Sequence, residues 1–182
     1  MRNVAVQMYV SLDGVMAAPE KWSFPYWTDD HEQYAYERLL AADALLLGRT
    51  TYETFAAAWP KRTGDTFADR MNSLPKYVAS STLKDDLDWN NSHVLRLRGD
   101  VVGAVRRLKQ QPGKDILLYG SQQLFNTLID HGLIDDFRLW IFPIVLGGGK
   151  RLFQPDNRLS KFQLADTTTF STGVVVLAFR PA

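Results

Sequence analysis

Residues 3–10, NVAVQMYV, are rich in β-branched and large apolar side chains and run into SLDG, a turn signal, which predicts a first strand entering a loop. The next stretch, VMAAPEKWSFPYW, carries two prolines and four large aromatics without a sustained period, and reads as irregular. Asp29 then offers an N-cap with Glu32 three positions on. Tyr36, Leu39 and Leu40 supply an apolar stripe, predicting a helix over about 29–41. DALLLG (43–48) is a short apolar run ending in glycine, the pattern of a strand buried on both faces of a parallel sheet. Directly after it, Thr50 with Glu53 makes a capping box, and Tyr52, Phe55, Ala56 and Trp59 recur at helical spacing. Strand, Gly48 and helix therefore abut.

KYVAS (76–80) and HVLRL (93–97) read as two more strands, and Asp100 caps a helix through about 110. DILLYG (115–120) repeats the buried-strand pattern, followed by a helix with Leu124, Phe125, Leu128 and Ile129 on one side and Gly132 at the position of a left-handed cap. From Asp136 the texture changes. DFRLWIFP, KFQLADTTTF and VVVLAFR are strand-like, and STG marks a tight turn between the last two. The fold class expected is α/β: one domain over 1–182 with a mainly parallel central sheet, flanking helices and a C-terminal antiparallel hairpin.

Composition narrows the function classes. A net charge of +1 supplies no basic field for nucleic acid, and no apolar run reaches the length of a membrane span. The chain has no cysteine, which excludes a disulfide frame and a thiolate nucleophile, and its three histidines are too scattered to suggest a metal site. The N-terminal stretch lacks the unbroken apolar core of a signal peptide, so the cytoplasm is the expected location.

Several chemistry-bearing motifs fail. LGGGK (146–150) lacks the first glycine and the final hydroxyl of a phosphate-binding P-loop, having Ile144 and Arg151 at those places. There is no G-x-S-x-G and no G-x-G-x-x-G. Two strand–Gly–helix junctions remain, at Gly48 and Gly120. In a parallel sheet both lie at the carboxyl edge, where first-turn amides attract phosphate, Thr50 and Thr51 at one junction and Ser121, Gln122 and Gln123 at the other. Arg49 beside Gly48, with the serine hydroxyls of SST (80–82), Ser80 and Ser81, after the strand at 76–80, has the chemistry to meet a phosphate monoester; it is equally readable as a solvated helix end beside a polar turn.

These residues resemble the dihydrofolate reductase-like superfamily. LGRTTYET (47–54) resembles the start of its cofactor-binding helix, LPKYVASS (74–81) its following strand, and GSQQLF (120–125) its glycine-pair turn and helix. The likeness is nearer to the reductase domain of bacterial riboflavin biosynthesis and its stand-alone relatives, through SLDG (11–14) and FPIVLGGGKRLF (142–153). The resemblance implies NADPH, with Gly48, Arg49, Thr50 and Thr51 on its phosphates, Ser80 and Ser81 on the 2′-phosphate, and Gly120, Ser121, Gln122, Gln123 and Leu124 on the pyrophosphate. It also implies a homodimer. Ser121 departs from the family's second glycine, and WTDDHE (27–32) aligns no single acid with the one that holds the pteridine in dihydrofolate reductases.

The expected activity is NADPH-dependent reduction of a small pyrimidine- or pteridine-like heterocycle, of the phosphoribosylaminouracil reductase or dihydrofolate reductase type. Asp13 is the candidate for an acid role near the acceptor, with a turn aspartate as the plain alternative. Trp22, Phe24, Tyr26 and Trp27 form a candidate lid, Trp22 and Trp27 stacking on the substrate, with packing as the alternative. The competing expectation is a non-catalytic dinucleotide- or flavin-binding protein of the same fold.

Overall fold

The computed structural model describes residues 1–96, 100–155 and 158–182. Its frame is an eight-stranded sheet: β1 (Val4–Ser11), β2 (Ala42–Gly48), β3 (Lys76–Ser80), β4 (Ser92–Arg96), β5 (Asp115–Tyr119), β6 (Asp136–Phe142), β7 (Phe162–Thr169) and β8 (Val175–Pro181), in the order β4-β3-β2-β5-β1-β6-β8-β7. The first six in that order are parallel; β8 joins β6 antiparallel and β7 closes the hairpin. Mixed α/β architecture with an antiparallel C-terminal hairpin is thus the fold the pattern foretold. The last residue of the expected strand 93–97, Leu97, lies outside the described residues.

Among the described residues, five α-helices cover the sheet: α1 (Asp29–Ala41), α2 (Arg49–Ala58), α3 (Thr66–Ser73), α4 (Val101–Gln110) and α5 (Gln122–Asp130). The run at β2 is continuously apolar because both of its faces are covered. Leu45 and Leu47 pack with Leu39 of α1, Tyr52 of α2 and Met71 of α3, whereas Leu46 packs with Val105 of α4 and Phe125 of α5. A third cluster joins the aromatic side chains of Trp22, Trp140, Phe142 and Phe170 with Ala35, Val174 and Val176.

Local departures have local causes. The N-cap of α1 is Thr28, not Asp29, with the Glu32 amide donating to its carbonyl at 3.0 Å. The capping box at Thr50 does not form: β2 ends directly in Gly48, which takes the N-cap position and puts Thr50 inside the first turn of α2. Helix α3 went unread in the sequence although Asp65 caps it through the Phe67 amide at 2.8 Å. Two short 3-10 turns, Pro19–Lys21 and Phe24–Tyr26, occupy the irregular stretch. Gly132 ends α5 as expected, at φ +62°. The Leu133 amide reaches back to the Leu128 carbonyl at 2.9 Å, a Schellman closure.

Candidate functional site

The connection from β2 through α2 runs outward to β3, while that from β5 through α5 runs the other way to β6, so α2 and α5 cover opposite faces. The strand order therefore reverses between β2 and β5, the place where open α/β sheets hold ligands beyond their carboxyl ends. Both glycine junctions stand there side by side. They do more than neighbour each other. The Gly48 amide donates to Ser121 Oγ at 2.6 Å, and that hydroxyl also pairs with Thr51 Oγ1 at 2.9 Å. A Cβ on Gly48 would sit 2.9 Å from Ser121 Cβ, and one on Gly120 would sit 2.8 Å from Thr51 Oγ1. Glycine at 48 and 120 is thus required by the contact between the two helix starts.

Gly120 and Ser121 both have left-handed backbone, at φ +55° and +57°, which turns the chain sharply from β5 into α5. Neither α2 nor α5 has a side-chain cap at its start. First-turn amides have no intrahelical acceptors, so two bundles of partial positive charge converge on one crevice. Of the residues after Gly120, Gln123 stays exposed, while Leu124 is core. Gln122 is buried and its amide donates to the Arg151 carbonyl at 2.6 Å, tying α5 to the glycine-rich segment.

At the next strand end, Arg49 extends along the edge, donating from Nε to Glu53 at 2.8 Å and from Nη1 to Thr82 Oγ1 at 2.9 Å. Ser80 is buried, and its hydroxyl accepts from the amides of Thr82 at 3.2 Å and Leu83 at 3.1 Å, so it builds the turn. Ser81 and Thr82 are exposed, Thr82 against the guanidinium. Thr82 fell within the quoted turn in the sequence without being singled out, and it is the hydroxyl Arg49 touches.

On the other side of β5, the β1 exit loop meets the glycine-rich segment. The Leu12 amide donates to Ile144 O at 2.8 Å, Met16 to Lys150 O at 2.8 Å, and Leu152 to Gly14 O at 3.0 Å. Asp13 is the clamp of this pairing. Its carboxylate accepts from Ser11 Oγ at 2.6 Å, the Leu146 amide at 3.1 Å and the Gly147 amide at 2.9 Å, while Arg151 donates to its backbone carbonyl. Those donors, Ser11 foremost, hold its pKa down at about 2. At neutral pH Asp13 is an ionised anchor with its acceptor sites engaged.

The candidate lid divides. Trp22 is buried, its indole donating to Ala17 O at 2.9 Å and its ring meeting Phe142 edge-on at 5.2 Å. Trp27 is part-exposed and lies over Trp140, at 6.2 Å and 16°. His31 is fully buried beneath it, 4.0 Å from the Phe170 ring, between Thr28 Oγ1 at 2.5 Å and Thr172 Oγ1 at 3.2 Å. Burial lowers its pKa, so the ring is neutral near pH 7. Among the described residues, no three acidic, histidine or cysteine side chains converge as a metal site, and no helix is long and apolar enough to cross a membrane.

Comparison with known proteins agrees with this fold. Over its full breadth the chain is 31% identical to the uncharacterized protein YyaP of Bacillus subtilis (strain 168), covering 98% of this chain and 94% of that one. A Shewanella sp. PV-4 structure carrying a provisional riboflavin biosynthesis name superposes with a TM-score of 0.75 at 18% identity, over 100% of this chain and 99% of that one. Dihydrofolate reductase from Enterococcus faecalis, solved with NADP(H) and RAB-propyl, superposes with a TM-score of 0.65 at 11% identity, over 98% of this chain and 96% of that one. These two establish the fold. The model of the RibD C-terminal domain matches residues 2–176, and the chain belongs to that family.

Proposed function

We propose that this chain is an NADPH-dependent reductase of a small pyrimidine- or pteridine-like heterocycle. The observation that carries the reading is the pair of interlocked, uncapped helix starts at the point where the strand order reverses, with Arg49 on the adjoining edge. Converging amides suit a pyrophosphate, and a guanidinium with neighbouring hydroxyls suits a phosphate monoester. The residues present fit the group. In this reading the first turn of α2, from Gly48 through Thr51, and the start of α5, from Gly120 through Leu124, hold the bridging phosphates. Arg49, Ser81 and Thr82 take the 2′-phosphate, with Ser80 shaping their turn.

NADPH bound there supplies the hydride. The chain's own residues orient and seal. Asp13 keeps the glycine-rich segment pressed against the β1 exit, and Ser121 fixes the spacing of the two helix starts. Trp27 contributes an aromatic wall, backed by Trp22 and Trp140, that keeps water from a flat acceptor. The E. faecalis neighbour's NADP(H) supports the cofactor, and the family supports the reductase class. A homodimer in the cytoplasm belongs to the same reading.

The engaged state of Asp13 favours one second reading, a dinucleotide-binding protein without turnover, because a carboxylate with a pKa near 2 stores no proton at neutral pH. One assay separates them. Quenching of the five tryptophans by NADPH is followed first, then NADPH oxidation with dihydrofolate and with aminopyrimidine ribosyl or ribityl phosphates. Saturable quenching with oxidation by one acceptor supports the reductase; quenching without oxidation by any acceptor supports the binding protein.

A further inference from the structure

Helix α5 begins at the crevice and turns one face to the glycine-rich segment. Gln122, its first residue, is only 5% exposed, and Asn126, one turn on, is 8% exposed. Gln122 Nε2 donates to the Arg151 carbonyl at 2.6 Å, and Asn126 Nδ2 donates to the carbonyls of Gln122 and Leu152, both at 2.9 Å. A carbonyl only accepts, so the nitrogen of each side-chain amide must face the segment. Packing alone would not choose this grip. Asn126 Oδ1 is left buried with no partner among the described residues, a cost that an apolar side chain at 126 would avoid. What the two amides add is a hold on the consecutive carbonyls of Arg151 and Leu152.

Asp13 holds the other end of the segment through the Leu146 and Gly147 amides. Arg151 links the two holds: its carbonyl accepts from Gln122, and its guanidinium donates to the Asp13 carbonyl. Residues 147–150 between them are exposed, and a Cβ built at Gly147 or Gly148 would meet no atom within 4 Å. Gly149 does approach a neighbour, since a Cβ there would stand 2.8 Å from Val15 Cγ1. The tip is therefore placed chiefly by its two ends. Gln122 differs from Asp13 in belonging to the first turn of α5, whose uncapped amides take the pyrophosphate in the reductase reading. A phosphate seated there fixes that turn, and Gln122 carries the fixing through Arg151 to the segment.

We propose that Gln122 is a positioning residue that couples phosphate binding on α5 to the placement of residues 146–150. A seated dinucleotide holds the glycine-rich segment against the β1 exit, and the segment so held strengthens the grip on the dinucleotide. The second effect follows from the first, because a coupling free energy between two sites acts equally in both directions. This rests on the reductase reading and adds to it how that site closes.

The test is hydrogen exchange of the full chain, read by mass spectrometry with and without saturating NADP⁺, for wild type, Gln122→Met and Asn126→Leu. Met keeps the length of Gln and removes the donor, and urea midpoints check that each variant is folded. The start of α2, residues 49–52, is the internal control, since it meets the same phosphates without holding the segment. In wild type, NADP⁺ is expected to slow exchange over both 49–52 and 146–152 by at least about fivefold. In Gln122→Met it should still slow 49–52, while the slowing over 146–152 falls below about twofold and NADP⁺ binds more weakly. Asn126→Leu, which spares the Gln122 bond, should lie between the two. Equal slowing over 146–152 in wild type and Gln122→Met would overturn the coupling. So would wild-type protection of 49–52 without 146–152, a comparison that needs no variant to fold; both results leave the reductase reading intact. Protection of neither segment, with no NADP⁺ bound, would sink that reading and the coupling with it.

Discussion

At the scale of single residues, Ser121 bears opposing demands. Its left-handed backbone costs about 1–2 kcal/mol in a residue with a Cβ, and its hydroxyl offsets this by satisfying the Gly48 amide and Thr51. Ser121→Ala keeps the strain and loses both bonds, so urea denaturation is expected to show a loss of about 1–3 kcal/mol. Ser121→Gly loses the bonds but relieves the strain, and should fall closer to wild type. An Ala variant as stable as the wild type would contradict the bridge. Asp13 gives a pH-dependent counterpart. Its pKa is lowered from an ordinary 3.8 to about 2, so its contribution is present above about pH 4 and lost as pH falls through 2. Asp13→Asn keeps one acceptor oxygen for Ser11 and the Leu146 amide but turns the other into an NH2 donor against the donating Gly147 amide. Wild type should therefore be the more stable at neutral pH, with the difference shrinking between pH 4 and pH 2. The sequence showed Asp13 as an acid near the site; its loop partners lie more than a hundred positions away and left no local trace.

At the scale of elements, β2 was the most legible, since a strand covered on both faces has no polar position to interrupt its apolar run. Leu46, fully buried against α4 and α5, tests that coverage: Leu46→Ala should cost about 2–5 kcal/mol in denaturant unfolding. Helix α3 was less legible because its buried positions, Ala68 and Met71, are too few and too small to raise a stripe in eight residues. Helix starts misread by a residue or more at Thr28 and Gly48 have one cause: a cap is decided by where the preceding strand or turn delivers the chain. The start of α1 also carries the pH response of the aromatic cluster. His31 pairs with Thr28 and, across 141 positions, with Thr172, and its folded pKa lies below the unfolded 6.5. The unfolded chain then binds the proton more readily, so stability is full above about pH 6.5 and declines as pH falls below it. Urea midpoints at pH 7.5 and 5.5 should show that decline, and His31→Gln should flatten it.

At the scale of the whole molecule, sequence pattern placed both glycine junctions on one edge but could not place them in contact. That requires β2 and β5 to be adjacent although two strands separate them in the chain. The C-terminal hairpin, by contrast, joins consecutive strands through Gly173 and was plain in the sequence. The central claim is that the crevice between α2 and α5 takes a dinucleotide whose extra phosphate meets Arg49. The direct measurement is tryptophan-quenching titration of wild type and Arg49→Ala with NADPH and NADH. We predict saturable NADPH binding, preferred over NADH, with Arg49→Ala weakening NADPH about tenfold and leaving NADH nearly unchanged. Absence of NADPH binding, or equal loss of both cofactors on removing the guanidinium, would contradict it.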